Sequence, residues 1–393
     1  MTDAPPVTSD FYDLEALLPD EERALLHRVR DFMDTRVEPI INGYWTRGEF
    51  PHELVPGLAE LGIAGTPYSG YGCPGRSSLF DGMVAMELSR GDASISTFMG
   101  VHGGLAMGSI YLCGSEEQKQ RWLPAMARME LIGAFGLTEP EAGSDIARGA
   151  QTTCRREGDA WVLNGQKKWI GNASFADLVI IWAKDEETDQ VLGFVVEKGT
   201  PGFSTVDLQD KIALRVVQNA LITLEDVRVP EENRLQEARS FRDTAKVLKV
   251  TRAGVAWSSV GCSRGAYEHA LRYATEREQF GQPIAEFQLV QDLLVRMLGN
   301  ITASAAMCAR LSQLQDEGTM TDEQASLAKA FCTMRMRETV GYARELMGGN
   351  GILLENHVGR FAADAEAIYS YEGTREINTL IVGRAITGES AFV

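Results

Sequence analysis

The sequence predicts an α+β protein in which an all-α part, a small β domain and an α-helical bundle follow one another along 393 residues. Three observations predict this order. Apolar residues recur at helical spacing up to about residue 132 and again after residue 241. Between these parts, strand-like apolar runs are separated by turn dipeptides. The predicted limits are a flexible N-terminus at 1–17, a helical domain at 18–132, a β domain at 133–236 and a bundle at 237–393.

The N-terminal part opens with an apolar stripe of helical period over residues 18–41, preceded by a Pro-Asp start signal. Its fourth helical stretch is followed by Ser115-x-x-Gln118, which has the form of a capping box. A Gly/Pro-rich loop at 65–75 divides the region. The other predicted helices cover 51–61, 79–90 and 96–112.

The β domain is predicted from a hairpin at 159–170, where Asn164-Gly165 is the dipeptide that tolerates positive φ in a two-residue turn. Pro201-Gly202 marks a second turn. Further strands are predicted at 178–183, 193–197 and 220–229.

In the bundle, one apolar stripe runs from Val290 to Leu311 and stops before Gly318, and Thr321-x-x-Gln324 caps the next helix. Two shorter helices are predicted at 361–369 and 377–384. Long stripes joined by short loops indicate antiparallel helices.

Composition narrows the function. The formal charge of −17, without a long basic run, argues against nucleic acid or an anionic membrane surface as a partner. Six scattered cysteines without a Cys-x-x-Cys pair indicate reduced, buried thiols, and the five dispersed histidines predict no metal site. The first twenty residues resemble no targeting segment and the last residues are not Ser-Lys-Leu, so we expect a cytoplasmic protein without membrane insertion.

Glu372 is the residue that suggests chemistry. It lies on a short link between two apolar segments, beside Tyr369 and Tyr371, where desolvation would raise its proton affinity as a general base requires. The alternative is that Glu372 is a solvated loop carboxylate, and residues 371–374 alone favour this alternative.

Four further stretches have both a functional and a structural interpretation. Residues 133–145 could hold a polar ligand or only join two domains. Trp169 could pack against a flat ring or lie in the core. Residues 346–351 could admit a ligand to the backbone or end a helix. Residues 277–283 could be an ordinary helix connection. Arg252, within an apolar helical run, is expected to face a carboxylate or an anionic ligand, and His102 is expected to be structural.

Taken in order, these stretches resemble the acyl-CoA dehydrogenase family, over nearly the whole chain from about residue 18 to 392. The resemblance rests on four motifs: Leu137-Thr138-Glu139-Pro140-x-Ala142-Gly143-Ser144-Asp145, Arg277-x-Gln279-Phe280-Gly281, Gly348-Gly349-Asn350-Gly351 and Tyr371-Glu372-Gly373-Thr374. Within the family the chain is most similar to the branch of glutaryl-CoA dehydrogenases and plant-type short-chain acyl-CoA oxidases.

The resemblance implies a middle β-barrel domain, a C-terminal four-helix bundle, and FAD bound between them. It implies that Glu372 abstracts the α-proton of an acyl-CoA while flavin N5 accepts the β-hydride, giving a trans-2-enoyl-CoA. It further implies an electron-transfer flavoprotein as acceptor and a homotetramer, or at least a dimer. The implied FAD contacts are Phe135, Leu137, Thr138, Ser144, Trp169, Ile170, Gly171, Arg277, Phe280, Gln288, Leu346, Met347, Gly348, Gly349, Thr374 and Glu376. The implied substrate contacts are Ser144, Arg252, Ser96, Tyr371 and Gly373.

Two departures from the family pattern bear on the substrate and the acceptor. Ser89 and Ser96 stand where glutaryl-CoA dehydrogenases have a glutamate and an arginine, which predicts an uncharged short acyl group. Gly171 stands where most of the family has a threonine near flavin N5, which allows altered reactivity toward oxygen. The alternatives are therefore a glutaryl-CoA dehydrogenase, a short-chain oxidase, and, from another class, a flavin-free CoA-ligand-binding relative.

Overall fold

The computed structural model describes residues 9–391 of the chain. Part of the predicted flexible N-terminus, residues 1–8, therefore lies outside the described residues. The chain begins with helices packed around an apolar core, as their 3.6-residue periodicity predicts. The N-terminal helices are α1 (Asp20–Phe32), α2 (Glu38–Arg47), α3 (Val55–Leu61), α4 (Ser78–Gly91), α5 (Ala93–Met99), α6 (Gly108–Cys113) and α7 (Glu116–Ala127). The strands β1 (Ser69–Gly70) and β2 (Cys73–Pro74) form a ribbon within the glycine-rich loop.

A π-helical segment, Gly100–Met107, joins α5 to α6, so that residues 93–113 form one continuous helical rod. π-helical turns are rare and concentrate at functional sites. The predicted capping box at the start of α7 is present, since Ser115 accepts from the Gln118 amide and the Gln118 side chain accepts from the Ser115 amide.

The middle of the chain forms a seven-stranded sheet in the order β3-β6-β4-β5-β9-β8, with β7 paired to β6. Burial alternates along β8 and β9, whereas β3, β6 and β7 are buried along nearly their whole length. Helix α8 (Ile146–Gly149) lies between β3 and β4. The strands are β3 (Gly133–Gly136), β4 (Thr153–Glu157), β5 (Ala160–Gly171), β6 (Leu178–Asp185), β7 (Val191–Glu197), β8 (Phe203–Asp207) and β9 (Asn219–Pro230).

The hairpin predicted over residues 159–170 is wrong. Residues 160–171 form one strand, β5, and the register between β5 and β9 shifts between Leu163 and Gly165. The hairpin turn lies earlier, between β4 and β5, where Gly158 has a φ of 67°. The Asn164-Gly165 dipeptide lies at the bulge instead. Glycine suits this position because a Cβ at Gly165 would come within 2.7 Å of the Thr152 Cα.

The C-terminal part is a helical bundle, and the structure confirms its predicted helices. Thr321 and Gln324 form the predicted capping box. The short strands β10 (Glu278–Gln279) and β11 (Gln282–Pro283) form a hairpin between the first two helices. The helices are α9 (Phe241–Glu276), α10 (Gln288–Asp316), α11 (Asp322–Leu346), α12 (Val358–Ser370) and α13 (Arg375–Thr387).

The larger core cluster runs through both helical parts, and a second cluster fills the sheet. All six cysteines are free and buried, as expected. Within residues 9–391, the helices are all too short or too polar to cross a bilayer.

Candidate active site

Glu372 lies on the four-residue link between α12 and α13 and has a φ of 55°. A positive φ is uncommon for a residue with a side chain and is found most often at functional sites. The link is fixed at both ends, because the Tyr371 amide bonds the Ala367 carbonyl at 3.0 Å and Asn378 Nδ2 bonds the Gly373 carbonyl at 2.9 Å. Among the hydrogen bonds of residues 9–391, the Glu372 amide donates to no acceptor.

Two cationic side chains lie near the Glu372 carboxylate, but they donate their hydrogen bonds to other groups. Its Oε2 accepts from Thr251 Oγ1 at 3.1 Å. Lys329 Nζ donates to the carbonyls of Tyr369 at 2.7 Å and Gly373 at 2.8 Å, and Arg252 donates to Asp322. Burial raises the pKa of Glu372, and the charges of Arg252 and Lys329 and the bond from Thr251 offset this only in part. The expectation that Arg252 faces a carboxylate is confirmed.

Thr251 connects the carboxylate to the N-terminal rod and, through the rod, to the sheet. A Cβ at Gly104 would contact the Thr251 methyl at 3.4 Å, and one at Gly171 would contact Val101 at 3.4 Å. The end of β5 and Thr251, which bonds the Glu372 carboxylate, therefore both contact the same π-helical segment.

The two stretches that the resemblance assigns to the flavin ring meet at one backbone hydrogen bond. The Lys168 amide donates to the Thr138 carbonyl at 2.8 Å. Next to it, Trp169 has a φ of 67°, and 55% of its surface is exposed. An indole turned out of the sheet beside a buried glycine, Gly171, and a half-buried hydroxyl, Thr138, fits the expected planar flavin.

Glu139, in the same stretch, is a structural group. Its Oε1 accepts from Lys167 Nζ at 2.7 Å, and its carboxylate also accepts from the amides of Gln151 and Thr152. Burial acts to raise the pKa of Glu139, but Lys167 and the two amides lower it overall. Burial in turn lowers the pKa of Lys167 to about 8 despite this partner. The pair fixes the turn after β3, and Lys167 also donates to the Leu137 carbonyl at 3.0 Å.

A second group of expected FAD contacts lies at the far end of α9. Arg277, Phe280 and Gln288 are exposed there, on or next to the β10–β11 hairpin. Asn350 Nδ2 bonds the Tyr273 hydroxyl at 2.7 Å, which brings residues 346–351 beside the same end of the helix. From Thr251 to Arg277, α9 and its end extend about 39 Å at 1.5 Å per residue.

The remaining expected contacts differ in accessibility. Ser144 is exposed on the loop before α8, and Ser96 is buried and bonded to Ser258. The ring of Phe135 is buried and packs 6.2 Å from the Trp182 ring. The last two lie at the N-terminus of α13, where Thr374 caps the helix and the exposed Glu376 pairs with Arg375.

Sequence patterns missed several groups that the fold brings together. Thr251, Lys329 and Asp322 define the surroundings of Glu372, yet they are 121, 43 and 50 residues away, and no local motif marks them. The dispersed histidines predicted no metal site from their spacing in the sequence, but the fold brings together ligand atoms of Glu38, His269 and His357, which lie within 4.8 Å of one another. The two imidazoles stack at 4.4 Å with an interplanar angle of 11°, so their lone pairs run nearly parallel rather than converging. His102, by contrast, is structural as expected, since its ring bonds the Met126 carbonyl and the Gly133 amide, each at 3.0 Å.

Family models match three consecutive parts of the chain. They are the acyl-CoA dehydrogenase N-terminal domain at residues 19–130, the middle domain at 134–227 and the C-terminal domain at 241–387.

Individual relatives match over nearly the full length. A probable acyl-CoA dehydrogenase of Bacillus subtilis, YngJ, is 34% identical over 94% of this chain and 98% of its own. Two structures of Mycobacterium smegmatis glutaryl-CoA dehydrogenase, one in complex with FADH2, are 40% and 36% identical, with TM-scores of 0.93 and 0.94, and each match covers 97% of this chain and 98% of the other. Butyryl-CoA dehydrogenase of Megasphaera elsdenii is 30% identical over 94% of this chain and 98% of its own, with a TM-score of 0.90.

Proposed function

Because the chain belongs to the acyl-CoA dehydrogenase family and is an oxidoreductase that uses FAD, we propose that it introduces a trans-2 double bond into a short-chain acyl-CoA thioester. The proposed base is Glu372. The observation that carries this proposal is the geometry of the link at 371–374, where a carboxylate of raised pKa stands beside an amide with no acceptor among residues 9–391.

Each feature of the link has a role in this reaction. The free Glu372 amide would donate to the thioester carbonyl and stabilise the negative charge that develops as the α-proton leaves. The Glu372 carboxylate would take that proton, which its raised pKa favours. Thr251 would hold one carboxylate oxygen and leave the other directed at the substrate. When bound, FAD supplies the acceptor for the hydride from the β-carbon.

The residues that would hold FAD fall into two groups. Leu137, Thr138, Trp169, Ile170 and Gly171 would contact the isoalloxazine, with Ser144 at the flavin or the pantetheine–phosphate part of CoA. Tyr371 and Gly373 would border the thioester, and Arg252 would line the substrate cavity close to the base. The second group would bind the adenine and pyrophosphate: Arg277, Phe280, Gln288, Leu346, Met347, Gly348, Gly349, Thr374 and Glu376.

This division supports an oligomer. Within one chain, Arg277 lies about 39 Å along α9 from Thr251, so the contacts at that end of α9 would complete the FAD site of a neighbouring copy. Large apolar side chains are also uncovered near it, with Phe280 95% exposed and Leu289 81% exposed. Apolar clusters of this kind mark protein–protein contacts. We propose that the protein is a homotetramer. We also propose that each chain consists of the three domains expected from the sequence, with limits near residues 133 and 237.

Ser96 bears on the charge of the substrate, and Gly171 bears on the electron acceptor. Ser96 bonds Ser258 and the Ala85 carbonyl, so hydroxyls occupy the position where a glutaryl carboxylate would need a cation. A Cβ at Gly171 would lie 3.4 Å from Val101 and from Val217, so a side chain at this position would pack against both valines. We propose an electron-transfer flavoprotein as acceptor, with oxygen the alternative suggested by Gly171.

The proposal is tested by recording the visible spectrum of the purified protein without oxygen, before and after addition of butyryl-CoA. Bleaching of the flavin bands is expected, with formation of the enoyl-CoA. A flavin that stays oxidised with butyryl-CoA but is bleached by glutaryl-CoA with release of CO2 would contradict the substrate proposal and favour the decarboxylating alternative. Admission of air then separates the acceptors, since rapid reoxidation would contradict a dehydrogenase and favour an oxidase.

A further inference from the structure

The rod at 93–113 and α9 lie antiparallel beside Glu372, and three contacts fix their register. A Cβ at Gly108 would contact Val247 at 3.8 Å, and one at Gly104 would contact Thr251 at 3.4 Å. Ser96 Oγ lies 3.1 Å from Ser258 Oγ. Along the rod these contacts pass from residue 108 to 104 to 96, and along α9 they pass from residue 247 to 251 to 258. Gly100 therefore faces the turn of α9 that contains Gly254.

Open space lies beside both glycines at this level, and Gly100 is exposed. A Cβ built at Gly100 or at Gly254 would meet no other element within 4 Å among residues 9–391. Residues 97, 100 and 104 share one face of the rod, and 251, 254 and 258 share one face of α9. The seam therefore contains a gap where two glycines oppose each other, in the π-helical part of the rod.

The ends of this gap differ chemically. At one end, Thr251 donates to the Glu372 carboxylate at 3.1 Å. At the other end, the Ser96–Ser258 pair closes the seam, and Ser96 Oγ also donates to the Ala85 carbonyl at 3.2 Å. Behind this pair lies Ser89, whose buried hydroxyl has no partner among the described residues and which a Cβ at Gly261 would contact at 2.9 Å. We call the Ser96–Ser258 pair the serine floor.

The arginine that follows Ser89 in the sequence, Arg90, bonds carboxylates and not the serine floor. It donates to Glu87 at 2.8 Å, to Glu268 at 3.1 Å and to Asp34 at 2.6 Å. Its guanidinium is thus held by three carboxylates, and the floor presents neutral hydroxyls.

With the thioester beside Glu372, the acyl group would extend into this gap. We propose that the serine floor limits the acyl group to about seven carbons and that the opposed glycines admit a methyl branch at C3. From Thr251 to Ser258, α9 rises about 10 Å. Subtracting a van der Waals contact of about 4 Å at the floor leaves about 6 Å, which is room for about five carbons of an extended chain beyond the α-carbon. The missing side chains of Gly100 and Gly254 widen the seam along this stretch. The proposal rests on the proposed function, and it specifies the substrate class.

The experiment compares three thioesters on the holoenzyme: butyryl-CoA, 3-methylbutanoyl-CoA and octanoyl-CoA. We expect the first two to bleach the flavin at similar rates and octanoyl-CoA to be at least about tenfold slower, since one methylene that a pocket cannot hold costs on the order of tenfold or more. The same order is expected for the affinities of the unreactive thioethers S-butyl-CoA, S-(3-methylbutyl)-CoA and S-octyl-CoA, measured by calorimetry.

Gly254→Ala tests the width. The new methyl group would project into the gap without a clash, so the affinity and rate for the 3-methylbutyl and 3-methylbutanoyl compounds should fall about tenfold relative to the butyl compounds. Gly341→Ala is the matched control, because Gly341 is an exposed helical glycine whose Cβ would also meet nothing within 4 Å among the described residues. The control should leave the ratio of branched to linear compounds unchanged.

Equal affinity for the octyl and butyl thioethers, or an equal loss for branched and linear compounds in Gly254→Ala, would overturn the proposal. Failure of every thioester to bleach the flavin would instead contradict the proposed function. The calorimetric comparison would still decide whether the gap has this length and width.

Discussion

Two glutamates in this protein lie in partly or fully buried surroundings near a lysine, and they have opposite electrostatics. Glu139 receives Lys167 at 2.7 Å and two backbone amides, and its pKa is lowered. Glu372 has Lys329 and Arg252 close by, but these cations bond two carbonyls and Asp322, and its pKa is raised. Burial raises the proton affinity of both carboxylates, so the direction in which the neighbouring cations donate decides which one can act as a base.

The largest expected effect comes from Glu372→Gln, which removes the base but keeps the size of the side chain. The rate of flavin bleaching by butyryl-CoA should fall by about 10²–10⁴-fold, the usual contribution of a positioned general base. Stopped-flow absorbance measures it. The flavin content should stay at the wild-type level, and an unchanged bleaching rate would show that another group takes the proton.

Glu139→Gln should instead reduce stability, because it leaves Lys167 buried without its charged partner. Removing one member of a buried pair costs about 3–5 kcal/mol of unfolding free energy. Urea unfolding followed by fluorescence measures this loss. The double variant Glu139→Gln/Lys167→Met should recover much of it. A Glu139→Gln protein as stable as the wild type would contradict the structural role.

Asp322→Asn should alter the pH profile while leaving the chain folded. Without the Asp322 carboxylate, the charge of Arg252 would act more strongly on Glu372 and favour its ionised form. The pKa of Glu372 would fall, so activity would persist to lower pH than in the wild type. The pH dependence of kcat/KM checks this shift, and an acid limb that stays in place or moves up would contradict it.

The smallest effect is expected from Thr251→Val, which removes one hydrogen bond that favours the ionised form of Glu372. The pKa of Glu372 should rise, moving the acid limb of kcat/KM to higher pH, opposite to the effect of Asp322→Asn. A hydrogen bond to a charged group contributes about 1.5–3 kcal/mol, which limits the accompanying loss of rate. Movement of the two variants in the same direction would contradict this description of the site.

The sequence predicted the order of helical and strand regions, because periodicity and capping signals are local. The helices of the bundle and the capping boxes at Ser115 and Thr321 are confirmed in the structure. The hairpin at Asn164-Gly165 failed because the same dipeptide also suits a bulge within one long strand, and only pairing with β9 distinguishes the two. The motif at residues 371–374 predicted Glu372 as the base. Its electrostatics could not be predicted, since they depend on where Lys329 and Arg252 donate across helices that are distant in sequence.

The most direct test of the account is the pH dependence of single-turnover flavin reduction by butyryl-CoA deuterated at the α-carbon, beside the unlabelled substrate. If Glu372 is the proton acceptor and burial raises its pKa, flavin reduction should show a primary isotope effect. As the pH is lowered, the rate should begin to fall before the pH reaches the ordinary glutamate pKa of about 4.3. A rate that is insensitive to α-deuteration, or that stays constant down to that range, would contradict the assignment of Glu372 as a base tuned by burial.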